Sequence, residues 1–404
     1  MNSGDIAFML VATAMVMLMT PGLALFYGGL VRSKNVLAIT MQSFISLGII
    51  TIIWVTFGYS LAFGPDIGKF IGGLDWVGLN GVGLTAGPYS STIPHLLFCA
   101  FQLMFAIITP ALITGAFAER VKFSAFILFT VLWSIFVYLP ICHWVWGGGW
   151  LAELGALDFA GGTVIHINSG AAALVAALVI GKRKGYGKES FHPHNLPMTI
   201  LGAGILWFGW FGFNAGSALV AGELSVLAFF TTQVAAATGA LSWMVAEWKI
   251  KGKPTSLGAV SGVLAGLVAI TPAAGFVGPV AAILIGLVAG VVCYLAVLAK
   301  SKMGYDDALD VVGVHGVGGI WGALATGLFA STAWNPAGKN GLFFGNAGLF
   351  GVQAIGVVAA IAYSMILTYI ILKLIDAMVG LRVTAEEETL GLDLSEHSET
   401  GYSL

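Results

Sequence analysis

Apolar runs long enough to cross a membrane recur along the whole chain and leave few charges between them. Charged residues make up 9% of the 404 residues, whereas a soluble domain has about 25%. A helix needs about 20 apolar residues to cross the hydrocarbon core of a bilayer. We place such runs at 6–31, 37–61, 93–117, 124–142, 162–181, 197–218, 224–246, 256–272, 277–299, 311–330 and 347–379. The chain is therefore predicted to be an all-α polytopic membrane protein with eleven transmembrane helices.

The basic residues indicate which side of the membrane each loop occupies. Of the 17 lysines and arginines, only Lys69 and Lys339 do not follow an odd-numbered run. Loops rich in lysine and arginine stay in the cytoplasm. We therefore predict a multi-pass protein of the cell membrane, with its N-terminus outside and its C-terminus in the cytoplasm. The net charge of −2 provides no basic field for binding nucleic acid.

The last run and the segment behind it differ from the rest of the chain. The run at 347–379 extends over roughly 50 Å as a helix, so we expect it to tilt strongly across the outside of the bundle. The chain then divides into a transmembrane domain, 1–380, and an acidic cytoplasmic tail, 381–404. Such a charge run is typical of a solvated, partly disordered end. The alternative is a docking element for a cytoplasmic regulator.

Two histidines fall inside predicted helices, where the free-energy cost of an ionisable side chain makes a functional role the default hypothesis. His166 and His315 lie in the fifth and tenth runs, and each has a glycine four residues later. These runs cross in opposite directions, which indicates an inverted repeat of five helices plus an appended eleventh. We place the halves at about 5–181 and 197–330, and the extra helix at 347–380. A shared pore-lining role is favoured over two separate interhelical hydrogen bonds.

An aspartate precedes each histidine, Asp158 in the first half and Asp310 in the second. Aspartates before a helix commonly cap it by accepting backbone N–H bonds. We expect Asp310 to be such a cap, while a cap and a role in attracting substrate stay equally open for Asp158. No third ligand stands at metal spacing with either histidine, and no nucleophile–base pair is evident. The sequence therefore predicts neither a metal, nor a cofactor, nor an enzyme.

Aromatic residues concentrate in three places along the chain. Phe101 and Phe105 share one helical face, and the segment 143–150 holds three tryptophans. The sixth run adds further rings and ends near Ser217. Periodicity alone would assign these rings to core packing, or to the aromatic belt at the membrane surface.

These same segments closely resemble the ammonium transporter family, on the Amt side of the Amt/Mep/Rh superfamily. The most specific one runs from Asp158 through Gly-Gly-Thr to His166 and continues to Gly181-Lys-Arg183. Further segments agree in order and spacing, namely Ala24–Gly29, Gly115–Arg120, Val145–Gly149, Gly209–Ser217 and Gly313–Gly316. The resemblance covers about residues 5 to 395, which is essentially the whole chain.

The resemblance implies a homotrimer with one narrow pore per subunit and a PII-type signal transduction protein as partner at the cytoplasmic face. It also implies a set of site residues. They are Phe105, Trp146, Ser217 and Asp158 for recruiting ammonium at the outer mouth; Phe105 and Phe213 for the pore gate; and His166, His315, Trp210 and Phe101 for the pore lining.

Physical chemistry indicates how such a pore would treat ammonium or its analogue methylammonium. A tryptophan face attracts a small cation by ~0.5–2 kcal/mol, whereas a bare ion in an apolar pore costs on the order of tens of kcal/mol. Removing the proton of a lysine-like amine at pH 7 costs only about 4–5 kcal/mol. We therefore expect ammonium to lose its proton near the gate and to cross as ammonia. The alternative function is an ammonium sensor that acts through a separate cytoplasmic regulator.

Overall fold

The computed structural model describes residues 1–402, and apolar helices dominate it. In chain order these helices are α1 (Ser3–Leu30), α2 (Ser33–Phe63), α3 (His95–Phe117), α4 (Phe123–Leu154), α5 (Gly162–Ile180), α6 (Leu196–Gly216), α7 (Glu223–Lys251), α8 (Ser256–Ile270), α9 (Pro279–Met303), α10 (Val312–Phe329) and α11 (Ala347–Val379). Within residues 1–402, ten of them are long and apolar enough to cross a membrane. The exception, α8, has 15 residues and reaches only about 22 Å. Ten of the predicted crossings are thus confirmed, and a shorter helix occupies the place of the eighth.

Short strands and one-turn helices fill the connections. β1 (Asp66–Ile67) pairs with β2 (Ile71–Gly72), and β3 (Ala86–Gly87) pairs with β4 (Ser90–Pro94), both antiparallel and all between α2 and α3. These hairpins lie at the face where α2 ends and α3 begins, which we call the outer face.

Several of the long helices contain a π-helical turn. Two of these turns, Trp54–Gly58 and Ser134–Tyr138, lie inside α2 and α4. The other two, Gly162–Ile167 and Val312–Gly316, begin α5 and α10, and each of them contains one of the candidate histidines. Such turns interrupt the regular ladder of hydrogen bonds and are frequent at functional sites.

The two histidine-bearing turns are held by aspartates at matching positions. The carboxylate of Asp158 accepts hydrogen bonds from the backbone N–H groups of four residues, 161–164, at 2.7–3.1 Å. In the second half it is Asp307 that accepts from the N–H of Val312, at 2.8 Å. Each aspartate stands eight positions before its histidine, as expected for repeated halves. The prediction that Asp310 is the cap is wrong, because its side chain pairs with Lys300 on α9.

Close helix packing brings the two halves together. At Gly202 on α6, an added Cβ would lie 2.3 Å from the backbone nitrogen of Phe26 on α1. The backbones of α1 and α6 therefore touch, as small residues allow in membrane helices. The long helix α11 packs across this bundle, where Thr368 accepts a hydrogen bond from the indole of Trp133 at 3.0 Å.

The acidic tail is folded, and the prediction of a solvated, partly disordered end is wrong. It forms two short helices, α12 (Ala385–Leu390) and α13 (Leu392–His397). Three of its acidic side chains accept backbone N–H bonds from the start of α2, the start of α4 and the loop after α5. The pairs are Asp393 with Ala38 at 2.8 Å, Glu396 with Phe123 at 2.9 Å, and Glu388 with Lys184 at 2.6 Å. Backbone donors from three separate segments thus hydrogen-bond to carboxylates that water would otherwise solvate. We call the surface formed by these segments and the tail the basic face.

Candidate functional site

His166 and His315 meet in the interior, where α5 crosses α10. The crossing is close because Gly170, one turn after His166, touches Gly316, and an added Cβ there would lie 2.3 Å from the Gly316 Cα. The imidazole rings are 5.2 Å apart between centroids and nearly parallel, at 18°. Their Nδ1 atoms lie 3.2 Å from each other, and both side chains are buried.

This geometry sets the hydrogen-bonding character of the histidine pair. Two facing Nδ1 atoms share one proton, so in the neutral pair one ring donates at Nδ1 and the other accepts. The donor ring then has a bare Nε2, and the acceptor ring carries its proton on Nε2. The pair therefore offers one acceptor and one donor to a small molecule. Within residues 1–402, the Nε2 of His166 has no hydrogen-bond partner.

Trp210 fixes the orientation of the pair from one side. Its indole stacks on His166 at 5.5 Å and 18°. The indole N–H donates to the hydroxyl of Thr271 at 2.8 Å, and that hydroxyl donates to the carbonyl of Leu267. Because this N–H is already used, Trp210 presents only its apolar face to the histidines.

Two phenylalanines, the predicted gate residues, lie between the histidines and the outer face. The rings of Phe105 and Phe213 are 4.3 Å apart between centroids, and each side chain is 1% exposed. Phe213 is the ring next to His166, at 6.2 Å. Phe101 packs edge-on against Phe105 at 4.8 Å and is itself fully buried, so it supports the gate ring.

Trp146 and Ser217 lie beyond the phenylalanines, towards the outer face. Trp146 lies edge-on to Phe105 at 6.0 Å, and its indole N–H donates to the carbonyl of Asp158 at 2.9 Å. The hydroxyl of Ser217 donates to the carbonyl of Phe213 at 2.8 Å, which leaves its oxygen free to accept. Trp146 and Ser217 are both partly exposed, whereas the gate rings are not.

Asp158 connects Trp146 to the turn that carries His166. Its carboxylate is occupied by the backbone N–H groups of the turn that carries His166, and its carbonyl holds Trp146. This geometry favours the capping role over direct attraction of a substrate.

Two narrow cavities follow one another behind the gate. The first, of about 20 Å³, holds roughly one water-sized molecule. Its walls are apolar except for the two histidines and the indole of Trp210. The second, of about 50 Å³, continues from His315 to Asp310 near the basic face and includes the side chains of Tyr27 and Ser261.

Sequence reasoning missed Asp307 and the residues of the second cavity. The signal for Asp307 was available, since its distance of eight residues from His315 repeats that of Asp158 from His166. Tyr27 and Ser261 carried no comparable signal, because hydroxyl groups are common in membrane helices and their partners come from distant helices.

A model of the Ammonium Transporter Family matches residues 7–402. The chain belongs to the ammonium transporter family. It is 56% identical to the ammonium transporter of Bacillus subtilis, over 100% of this chain and 99% of that protein.

Solved structures agree with this membership. The crystal structure of Candida albicans Mep2 superposes with a TM-score of 0.91 at 38% identity, covering 99% of this chain and 90% of Mep2. A structure described as a sensor Amt protein superposes with a TM-score of 0.90 at 32% identity, covering 98% of each chain. Membership of the ammonium transporter family supports ammonium transport as the function and makes the chain a multi-pass membrane transport protein rather than an enzyme.

Proposed function

We propose that the chain takes up ammonium at the outer face and passes it through the bundle as ammonia, past His166 and His315. The observation that carries this proposal is the histidine pair in a cavity of about 20 Å³, with the rings of Phe105 and Phe213, 4.3 Å apart, on its outer side. Such a passage fits a molecule of the size of water that can both donate and accept a hydrogen bond.

Trp146 and Ser217, which are both partly exposed towards the outer face, recruit the cation. A tryptophan face attracts a cation by ~0.5–2 kcal/mol, and the free lone pair of the Ser217 oxygen accepts one N–H of ammonium. The backbone partners of Trp146 and Ser217 hold both side chains in place before the ion arrives.

Ammonium gives its proton to water on the outer side of the Phe105–Phe213 gate and continues inward as ammonia. Behind this gate the first cavity contains no carboxylate to balance a positive charge, and desolvating an unpaired ion costs tens of kcal/mol by order of magnitude. Ammonia carries no such cost, because the Nε2 positions of the two histidines accept from it and donate to it. Potassium has no proton to lose, so it is excluded at this step.

The proposal includes the orientation of the chain in the membrane and its assembly with other subunits. The lysine- and arginine-rich basic face lies in the cytoplasm, so Trp146 and Ser217 face the outside of the cell. The subunits form a homotrimer, and a PII-type signal transduction protein docks on the loops and tail of the basic face.

Uptake by proteoliposomes tests the proposal. His166→Ala and His315→Ala are each expected to change methylammonium uptake or to admit potassium, while His192→Ala, in an exposed loop, is expected to match the unchanged protein. The twin-histidine model fails if both pore variants keep the uptake rate and the selectivity of the unchanged protein.

A sensor is the second candidate function, favoured by the structural likeness to a protein described as a sensor Amt and by the docked tail. A sensor binds ammonium with little flux and changes its tail or its partner. Ammonium flux into proteoliposomes, measured with and without a purified PII-type protein, separates the two functions.

A further inference from the structure

A groove on the outer surface of the bundle plays no part in the pore. It runs between α5 and α11 and has a volume of about 600 Å³. Its walls are apolar, with Leu178 on α5 facing Ile366 and Ile370 on α11, and each of these three side chains is more than half exposed. In a membrane protein, such surfaces meet lipid tails.

The groove ends at a single charged side chain, Lys373. Lys373 lies six residues before the end of α11 at Val379, which is about 9 Å along the helix. Helix α5 ends at Ile180, beside the other wall. Both helix ends lead into the basic face, so the groove opens into the bilayer leaflet on that side.

Lys373 has no protein counter-ion. Among residues 1–402, its Nζ forms no salt bridge within 4.0 Å and lies 5.8 Å from the centroid of the Tyr369 ring. Asp376, one turn further on, instead accepts the backbone N–H of Leu381. A lysine at this depth must extend to the interface or pair with an anion.

We propose that this groove binds an anionic phospholipid, with an acyl chain between α5 and α11 and the headgroup phosphate on Lys373. A soluble phosphate would leave the apolar walls uncovered, and a neutral lipid would leave the lysine unpaired. Basic pockets between membrane helices are known to bind acidic headgroups in this way. The proposal is independent of the pore assignment.

Native mass spectrometry of the protein in neutral detergent measures this binding. Phosphatidylglycerol and phosphatidylcholine with identical acyl chains are titrated separately. The unchanged protein is expected to prefer phosphatidylglycerol by about fivefold at the tightest site, the effect of one basic residue near the membrane surface. Lys373→Gln is expected to abolish the preference and Lys373→Arg to keep it.

A matched control separates this site from general surface charge. Lys249 is an exposed lysine in the last turn of α7, and α7 does not line the groove. Lys249→Gln is expected to retain the preference. If it loses as much preference as Lys373→Gln, or if Lys373→Gln keeps it, the proposed site is wrong.

The acyl-chain part is tested by filling the groove. Leu178→Trp is expected to weaken binding of both lipids severalfold, while glycerol phosphate, which lacks acyl chains, is expected not to compete. A second copy of the chain seated on the groove would overturn the proposal. That outcome would appear as intermolecular cross-linking of a Leu178→Cys variant.

Discussion

The histidine site and the basic face both bury ionisable side chains, but the partners of these side chains differ. At the proposed pore, His166 and His315 face each other across 3.2 Å, and the first cavity beside them contains no carboxylate. At the basic face, Arg183 lies between two carboxylates, 3.0 Å from Glu119 and 2.9 Å from Asp306. The comparison indicates that paired charges stabilise the loops of the basic face. The histidine pair has no counter-ion and stays available to a small molecule.

The buried carboxylates of the basic face are stabilised in their charged form by neighbouring arginines. Burial raises the pKa of Glu119, but attraction to Arg183 and Arg32 outweighs it, so its pKa lies below its ordinary value. Burial likewise raises the pKa of Asp306, and the hydrogen bonds and charge of Arg183 again reverse the shift. Both carboxylates are therefore ionised at neutral pH and connect the loops after α3, α5 and α9.

The largest expected effect is on stability at the basic face. Glu119→Gln leaves Arg183 and Arg32 without a shared counter-ion, and removing one partner of a buried ion pair costs about 3–5 kcal/mol. Thermal unfolding in detergent measures the loss. Glu153→Gln, at an exposed carboxylate, is the control and is expected to change stability by less than about 1 kcal/mol. Equal losses in the two variants would contradict the comparison.

Acid is expected to weaken the basic face in the same way. Because the folded pKa values of Glu119 and Asp306 lie below their unfolded values of about 4.3 and 3.9, their contribution is complete above about pH 5. It is lost as the pH falls through the lowered pKa values. The melting temperature should therefore decrease when the pH is lowered below about 4. This decrease should be less steep in Glu119→Gln. A melting temperature that rises towards pH 3 would contradict this.

Removing a pore histidine is expected to have a smaller effect on stability and a larger one on selectivity. His166→Leu removes one hydrogen bond, worth about 0.5–1.5 kcal/mol, and leaves no charge unpaired. The variant should fold, as size-exclusion chromatography would show, yet lose discrimination between ammonium and potassium in a flux assay. A loss of stability as large as in Glu119→Gln would show that the histidines are structural.

The smallest expected effect lies in the tail. Asp393→Ala removes the bond to the N–H of Ala38, at a cost of about 1 kcal/mol, so α13 should detach more often. Limited proteolysis should then cut the tail faster, with no change in melting temperature beyond a few degrees. Glu399→Ala, at an exposed side chain, is the control and should leave the cleavage rate unchanged.

The sequence alone determined those features that depend on residues close together in the chain. Runs of apolar residues predicted eleven transmembrane helices, and ten of them have membrane length in the structure, because the hydropathy of a segment depends only on its own residues. Asp158, His166 and their neighbours carried the family resemblance, because a short motif keeps its spacing in any fold. The length of α11, from Ala347 to Val379, followed in the same way.

Only the tertiary structure decided which of these residues meet. His166 and His315 are 149 positions apart in the chain, and their shared Nδ1 contact depends on two glycines that let α5 and α10 touch. Asp307 rather than Asp310 holds the second histidine-bearing turn. The acidic tail accepts N–H hydrogen bonds from three separate segments of the chain. The sequence also did not predict the partners of Arg183, because its position indicates only a basic loop. The structure pairs it with Glu119 and Asp306. Contacts of this kind depend on the distances between helices, and a local sequence pattern carries no information about those distances.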